Sequence, residues 1–141
     1  MNQAKYNDKK QTFAVYGTLR LNQGNYKRIL KNNSKHIKTV NIPGFEMFSL
    51  GGFPGIKRSN DKNSTIVADI FEVSCPETKR NLDYLEGYNK ETDSGMYLRR
   101  KIKLQNENDC EIYIWNYEDR GVVIEDGDWV RFKNQIHQVN V

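Results

Sequence analysis

Nine residues, Thr65 to Val73, restrict the fold more than any other stretch of this chain. They read Thr-Ile-Val-Ala-Asp-Ile-Phe-Glu-Val. In extended backbone Thr65, Val67, Phe71 and Val73 share one face, and Ile66, Ala68 and Ile70 share the other. A strand that is apolar on both faces must be covered on both. The chain therefore has to build a layer above this strand and a layer below it. Asp69 interrupts the Val67/Phe71 face. A carboxylate there needs hydrogen-bond donors or a shifted proton affinity, and a structural aspartate satisfied by main-chain N–H groups is the commoner solution.

The material for those layers is several short strands and few helices. Phe13-Ala14-Val15 runs straight into Tyr16-Gly17-Thr18-Leu19-Arg20, then a polar turn, Asn22-Gln23-Gly24-Asn25. A short helical pattern follows, with Tyr26, Ile29 and Leu30 on one side. Ile37 to Ile42 reads as a strand closed by Pro43-Gly44. Phe45 to Leu50 leads into a bent loop at Gly51-Gly52-Phe53-Pro54-Gly55, and residues 57–64 read as a polar hairpin or loop. A helix is expected over 75–86. Ser74 and Glu77 have capping-box spacing, Pro76 suits the first turn, and Leu82 and Leu85 mark the buried side. Tyr88 to Gly95 reads as a polar loop. Met96–Leu104 and Cys110–Tyr117 read as strands, and the tail after Gly127-Asp128-Trp129 shows alternating residues. Residues 1–11 read as a polar, frayed leader. With no repeat and no linker, residues 1–141 are expected to form one α+β domain, five or six strands and a few short helices closing into a small mixed β-barrel.

Charge and cysteine usage narrow the function classes. The net charge is +4 and the isoelectric point about 9.0, but the basic residues are scattered. Only Lys9-Lys10, Lys57-Arg58 and Arg99-Arg100-Lys101 cluster. Tyr113, Trp115 and Tyr117 share a strand face without cations between them, so the platform expected of a single-strand nucleic-acid binder is missing. Cys75 and Cys110 stand far apart, no CxxC occurs, and His36 and His137 are isolated. No metal, no cofactor and no disulfide framework is expected. The opening residues are polar and no run is long enough to span a bilayer. A cytoplasmic protein without membrane or nucleic-acid partners follows, a monomer or weak homodimer.

Two stretches carry chemistry. The strand–glycine–helix turn at Tyr16-Gly17-Thr18-Leu19 can leave main-chain N–H groups unpaired, an arrangement that holds an anion. Gly17 has no side chain to block a ligand's approach. The second stretch is Leu82-Asp83-Tyr84-Leu85-Glu86-Gly87. Glu86 closes the helix on its apolar side, where the helix dipole disfavours a carboxylate. Burial and the dipole both raise its pKa, as a general base requires.

Together these stretches resemble the γ-glutamylcyclotransferase-like superfamily, which includes the AIG2-like and YtfP-like proteins. Val15-Tyr16-Gly17-Thr18-Leu19-Arg20 is similar to its V-Y-G-[ST]-L motif and Gly52-Phe53-Pro54-Gly55 to its PG loop. Leu82 to Gly87 is similar to its L-D-x-x-E-G segment, Gly95 to Arg99 to its Y-x-R strand, and Gly127-Asp128-Trp129 to its tail. The family's V-x-G-E-x-Y-x-V strand appears with Ala68 and Asp69 in place of Gly and Glu.

The resemblance implies that a γ-glutamyl amide or peptide is cyclised to 5-oxoproline with release of the amine, and that Glu86 is the catalytic base. It implies a substrate carboxylate held by the turn Tyr16, Gly17, Thr18 and Leu19, with Tyr97 closing the pocket through its hydroxyl. Arg20 pairs either with that carboxylate or with Asp69, the structural pair being preferred. Glutathione, a γ-glutamyl amino acid, a γ-glutamyl-lysine isopeptide and a γ-glutamyl-protected antibiotic precursor all fit as substrates. A catalytically silent pocket of the same fold, binding a small anion, is the alternative.

Overall fold

The computed structural model describes residues 6–105 and 108–139. Its elements in chain order are β1 (Gln11–Val15), β2 (Lys35–Pro43), β3 (Phe45–Ser49), β4 (Pro54–Arg58), β5 (Thr65–Val73) and α1 (Pro76–Leu85). They continue with β6 (Tyr88–Asn89), β7 (Ser94–Gly95), β8 (Tyr97–Lys103), β9 (Asp109–Trp115), β10 (Val122–Ile124) and α2 (Trp129–Val139). A single π-helical turn, Tyr26–Leu30, follows the Tyr16–Arg20 segment. The fold is α+β with a few short helices.

Five strands form one sheet in the order β2-β5-β1-β9-β8. β5 is antiparallel to both β2 and β1, whereas β1 and β9 run parallel. Three strands, β10-β3-β4, form a second sheet, and β6 and β7 a two-residue ladder. The doubly apolar β5 is covered on both faces. Ile66, Ala68 and Ile70 enter a first core cluster with Phe45, Met47 and Ile56 of the three-stranded sheet. Phe71 and Val73 enter a second cluster with Phe13, Val15, Leu30 and Leu82, and this one is roofed by α1 and the π-helical turn. The outer strands β2 and β8 line one common cavity, so the large sheet curls until its two edges face each other.

Four readings are corrected in detail. Helix α1 is capped by Cys75 without a side-chain hydrogen bond. Pro76, fixed in the first helical position, places Ser74 one residue outside the helix, too early for a capping box with Glu77. The polar loop at 88–95 is a small hairpin, β6–β7. Gly95 is required there, because it has φ +136° and a Cβ would lie 1.8 Å from the Gly87 carbonyl oxygen. The alternating tail is helical: Trp129 and Phe132, three apart, both turn toward the first core cluster, and Asp128 caps the helix by accepting from the Arg131 N–H at 3.1 Å. Of the expected frayed leader, residues 1–5 lie outside the described residues. The next few are fastened: the Tyr6 hydroxyl donates to Asp83 at 2.7 Å, and the buried Lys79 ammonium donates to the Asn7 carbonyl at 2.8 Å.

Candidate active site

The Tyr16–Arg20 turn is built by what stands behind it. Asp69, only 1% exposed, accepts from the Leu21 N–H at 2.9 Å, from Arg20 Nε at 3.2 Å and from the Thr39 hydroxyl, with His36 Nε2 at 3.2 Å. Burial pushes the Asp69 pKa up, but these partners outweigh it and hold the carboxyl below its ordinary value. Arg20 also donates to Asp128 at 2.9 Å. The arginine is thus the structural pair expected of it, and the Gly-Asp-Trp tail serves as its second anchor. Asp69 does not reach the cavity wall.

In front of the turn lies a cavity of about 250 Å³. The Arg20 N–H closes the turn on the Gly17 carbonyl at 3.0 Å, and the Thr18 carbonyl accepts from Asn25 and Tyr26. Among the described residues the N–H groups of Gly17, Thr18 and Leu19 have no partner. The turn's donors therefore remain available on a segment that lines the cavity. Asn25, also on the wall, fixes the Thr18 hydroxyl by a 2.7 Å hydrogen bond.

Glu86 lines the same cavity from the C-terminal end of α1. It is the C-cap residue, and Gly87 follows with φ +63°. The helix end is held from the other side by Asp83. That buried carboxylate takes four hydrogen bonds, two from Arg99 Nη1 at 2.8 and 2.9 Å, one from Tyr113 at 2.6 Å and one from Tyr6 at 2.7 Å. Arg99 Nε is in turn 3.1 Å from Glu111. Asp83 and Glu86 are three residues apart, so one anchors the last turn and the other projects near it. No hydrogen bond or ion pair engages the Glu86 carboxylate among the described residues. Burial, and secondarily the charge of Asp83, raise its pKa from 4.5 to about 8.

The remaining expected residues fall around this acid. Tyr16 and Tyr97 both line the cavity, and the charge of Glu86 contributes to raising both phenol pKa values after burial. Both hydroxyls are already donating: Tyr97 to the Pro54 carbonyl at 2.6 Å, Tyr16 to the Tyr113 carbonyl at 2.6 Å. Tyr97 thereby fixes the Phe53-Pro54 loop over the cavity. Leu19 contributes a buried side chain to the second core cluster. Gly17 is where it must be for a reason the sequence did not show: a Cβ there would lie 2.8 Å from Pro54 Cγ. What comes close to the glycine is the proline ring of the opposite wall.

Sequence reasoning missed Asn25, Pro54 and Met96 as wall residues. Asn25 sat in a run that reads as turn punctuation, and nothing in the sequence near Met96 distinguishes a wall residue from a strand start. Among the described residues no cluster of three or more His, Cys, Asp or Glu side chains is arranged to hold a metal, and no helix is long and apolar enough to cross a membrane.

Two sheets around an apolar core, with an amide-rich turn and a glutamate that has no partner among the described residues sharing one cavity, define a class of small α+β proteins with an acid-bearing pocket. A family model for gamma-glutamyl cyclotransferase, AIG2-like proteins matches residues 13–131, and the chain belongs to that family. Solved structures with this fold include the uncharacterized protein PH0828 of Pyrococcus horikoshii, at TM-score 0.69 and 19% identity, covering 91% of this chain and 97% of that one. YtfP of Escherichia coli matches at 0.65 and 26%, covering 87% and 99%. An AIG2-like protein of Mus musculus matches at 0.63 and 18%, covering 85% and 88%. No curated protein sequence matches.

Proposed function

We propose that this chain cyclises a γ-glutamyl amide to 5-oxoproline and releases the amine, with Glu86 as the base. The observation that carries the reading is one cavity shared by the Gly17–Leu19 amides and an unpartnered Glu86 whose pKa lies at about 8. The substrate's own α-amine attacks its γ-carbonyl, so the enzyme's task is to hold the chain folded and to move one proton. The turn receives the α-carboxylate, with its free N–H groups as donors. An adjacent α-ammonium must lose a proton before its nitrogen can attack. An ordinary glutamate is too weak a base for that; one raised to about 8 narrows the gap to an ammonium that sits beside its own carboxylate.

The step balances within the site. The α-ammonium gives its proton to Glu86, and the freed amine forms the new C–N bond at the γ-carbon. The tetrahedral oxyanion then collapses, Glu86 returns its proton to the leaving nitrogen as the original amide C–N bond breaks, and the new ring nitrogen gives its second proton to the freed Glu86 carboxylate, which passes it to water. Tyr97, Tyr16 and the Phe53-Pro54 loop limit water around the acid. Once the cationic ammonium is seated, its charge lowers the Glu86 pKa. The acid limb of kcat/KM is therefore expected near pH 8 and that of kcat at lower pH.

The test is a panel of γ-glutamyl compounds, including glutathione, γ-glutamyl amino acids and γ-glutamyl-ε-lysine, assayed for 5-oxoproline by mass spectrometry. At least one is expected to be turned over by the parent and not by Glu86→Gln. Binding of panel members with no product from any of them would instead make this a silent anion-binding pocket.

A further inference from the structure

A second cavity, of about 390 Å³, shares no residue with the one that holds Glu86. It lies where the five-stranded sheet ends. Val40 to Pro43 of β2 form one wall, and residues 101–105, along and just past β8, form the other. Among the described residues β2 pairs with β5 alone and β8 with β9 alone. The outward main-chain groups of both strands therefore have no ladder partner among the described residues.

The slot is apolar within and cationic at its rim. Val40, Ile42, Ile102 and Leu104 line it and belong to or pack on the first core cluster. Lys38, Arg58, Lys101 and Lys103 line it as well, and among the described residues no carboxylate does. Lys103 pairs with Asp109 at 2.9 Å, and the Arg58 guanidinium lies 5.5 Å over the Phe45 ring. Lys38 and Lys101 have no ion pair among the described residues. Lysines on an edge strand ordinarily discourage edge-to-edge pairing with another copy. For an acidic strand the same lysines become an attraction.

The alternation along β8 sets what such a strand must look like. Ile102 and Leu104 turn to the core side, so Lys101 and Lys103 lie on the opposite face. A chain laid along this edge places its own side chains alternately on the same two faces. We propose that the free edge of β8 binds an extended acidic segment of a partner protein by strand addition, its apolar side chains beside Ile102 and Leu104 and its carboxylates beside Lys101 and Lys103. Nucleic acid fits less well, because among the described residues Phe45 is the only aromatic ring in the slot and Arg58 already covers it.

The test uses the full chain and the probe acetyl-(Glu-Val)4-amide, with binding followed by isothermal titration and by amide hydrogen exchange. Binding is expected, with new protection confined to residues 97–105. Backbone N-methylation of the probe, which removes its ladder donors, is expected to weaken binding at least tenfold. So is Lys101→Glu/Lys103→Glu, with its melting curve as the check on folding. Equal binding of acetyl-(Lys-Val)4-amide, equal binding of the methylated probe, protection elsewhere, tighter binding of an oligothymidylate, or no binding up to millimolar probe would each overturn the proposal.

Discussion

Two carboxylates stand on either side of the Tyr16–Arg20 turn, and they behave oppositely. Behind it, Asp69 is enclosed by donors: the Leu21 N–H, Arg20, Thr39 and His36. Its pKa is lowered despite burial. In front of it, Glu86 is half-buried, has no hydrogen-bond donor among the described residues and stands beside another negative charge, and its pKa rises to about 8. The same residue chemistry becomes a fastener in one place and a base in the other. Donors within reach decide which, because burial alone pushes both the same way.

The sharpest way to break this contrast is Glu86→Gln. The amide keeps the shape and cannot take a proton. If Glu86 is the base, 5-oxoproline formation should fall about 10²–10⁴-fold, the usual worth of a general base, with substrate affinity and circular dichroism little changed. Comparable turnover by the variant would remove Glu86 from that role. Asp69→Ala should do the reverse. Removing it strips Arg20 of one of its two carboxylates and the Leu21 N–H of its acceptor, and breaking a buried pair costs about 3–5 kcal/mol. A fall in melting temperature and a disordered turn are expected, with the kinetic loss appearing in KM before kcat.

A smaller effect, in stability against pH, separates the two acids by sign. Folded Glu86 holds its proton up to about 8, whereas an ordinary glutamate loses it near 4.5. Between those values the folded chain binds the extra proton, so this residue's contribution to stability declines as pH rises and the full penalty is present above 8. Each tenfold difference in proton affinity is worth about 1.4 kcal/mol, so the ceiling is about 5 kcal/mol; cavity water screens the side chain and reduces it. Glu86→Gln should therefore melt close to the parent at pH 5 and higher than it at pH 9. Asp69 acts the other way. Its lowered pKa stabilises the fold at neutral pH, and that stabilisation is lost as pH falls through the folded value, below 3.8. A Glu86→Gln advantage that does not grow with pH would mean the acid is not desolvated.

How much of this was legible follows the range of the interactions. β5 announced itself because alternation is local, and its two-sided burial followed directly. Glu86 stood out because a carboxylate at a helix C-terminus contradicts the local dipole. Asp69 was legible as buried, with Arg20 as its partner, but its further donors come from positions 21, 36 and 39, which only the fold brings beside it. Asp83 was invisible as an anchor for the same reason, since its donors sit at 6, 99 and 113. The tail was misread as alternating because its period was judged without knowing that Asp128 caps a helix and that Trp129 and Phe132 meet the core.

Gly17 offers the finest comparison, since two explanations of one glycine differ only in what approaches it. From sequence, the missing side chain leaves room for a ligand. In the fold, Pro54 Cγ and Cδ would lie 2.8 and 2.9 Å from a Cβ. Gly17→Ala must then push the proline ring and the Tyr97-held loop outward, a strain of about 1–2 kcal/mol for one added methyl in a packed site. Pro54→Ala removes both offending atoms and keeps the carbonyl that accepts from Tyr97. If the ring is the obstacle, Gly17→Ala/Pro54→Ala should recover most of the melting temperature lost by Gly17→Ala, a coupling visible in a double-mutant cycle. If the double variant instead regains stability but not substrate affinity, the glycine also serves the ligand, and the turn needs its bare Cα on the cavity side as well as under the proline. If the two substitutions simply add, the contact with Pro54 is not what keeps this position a glycine.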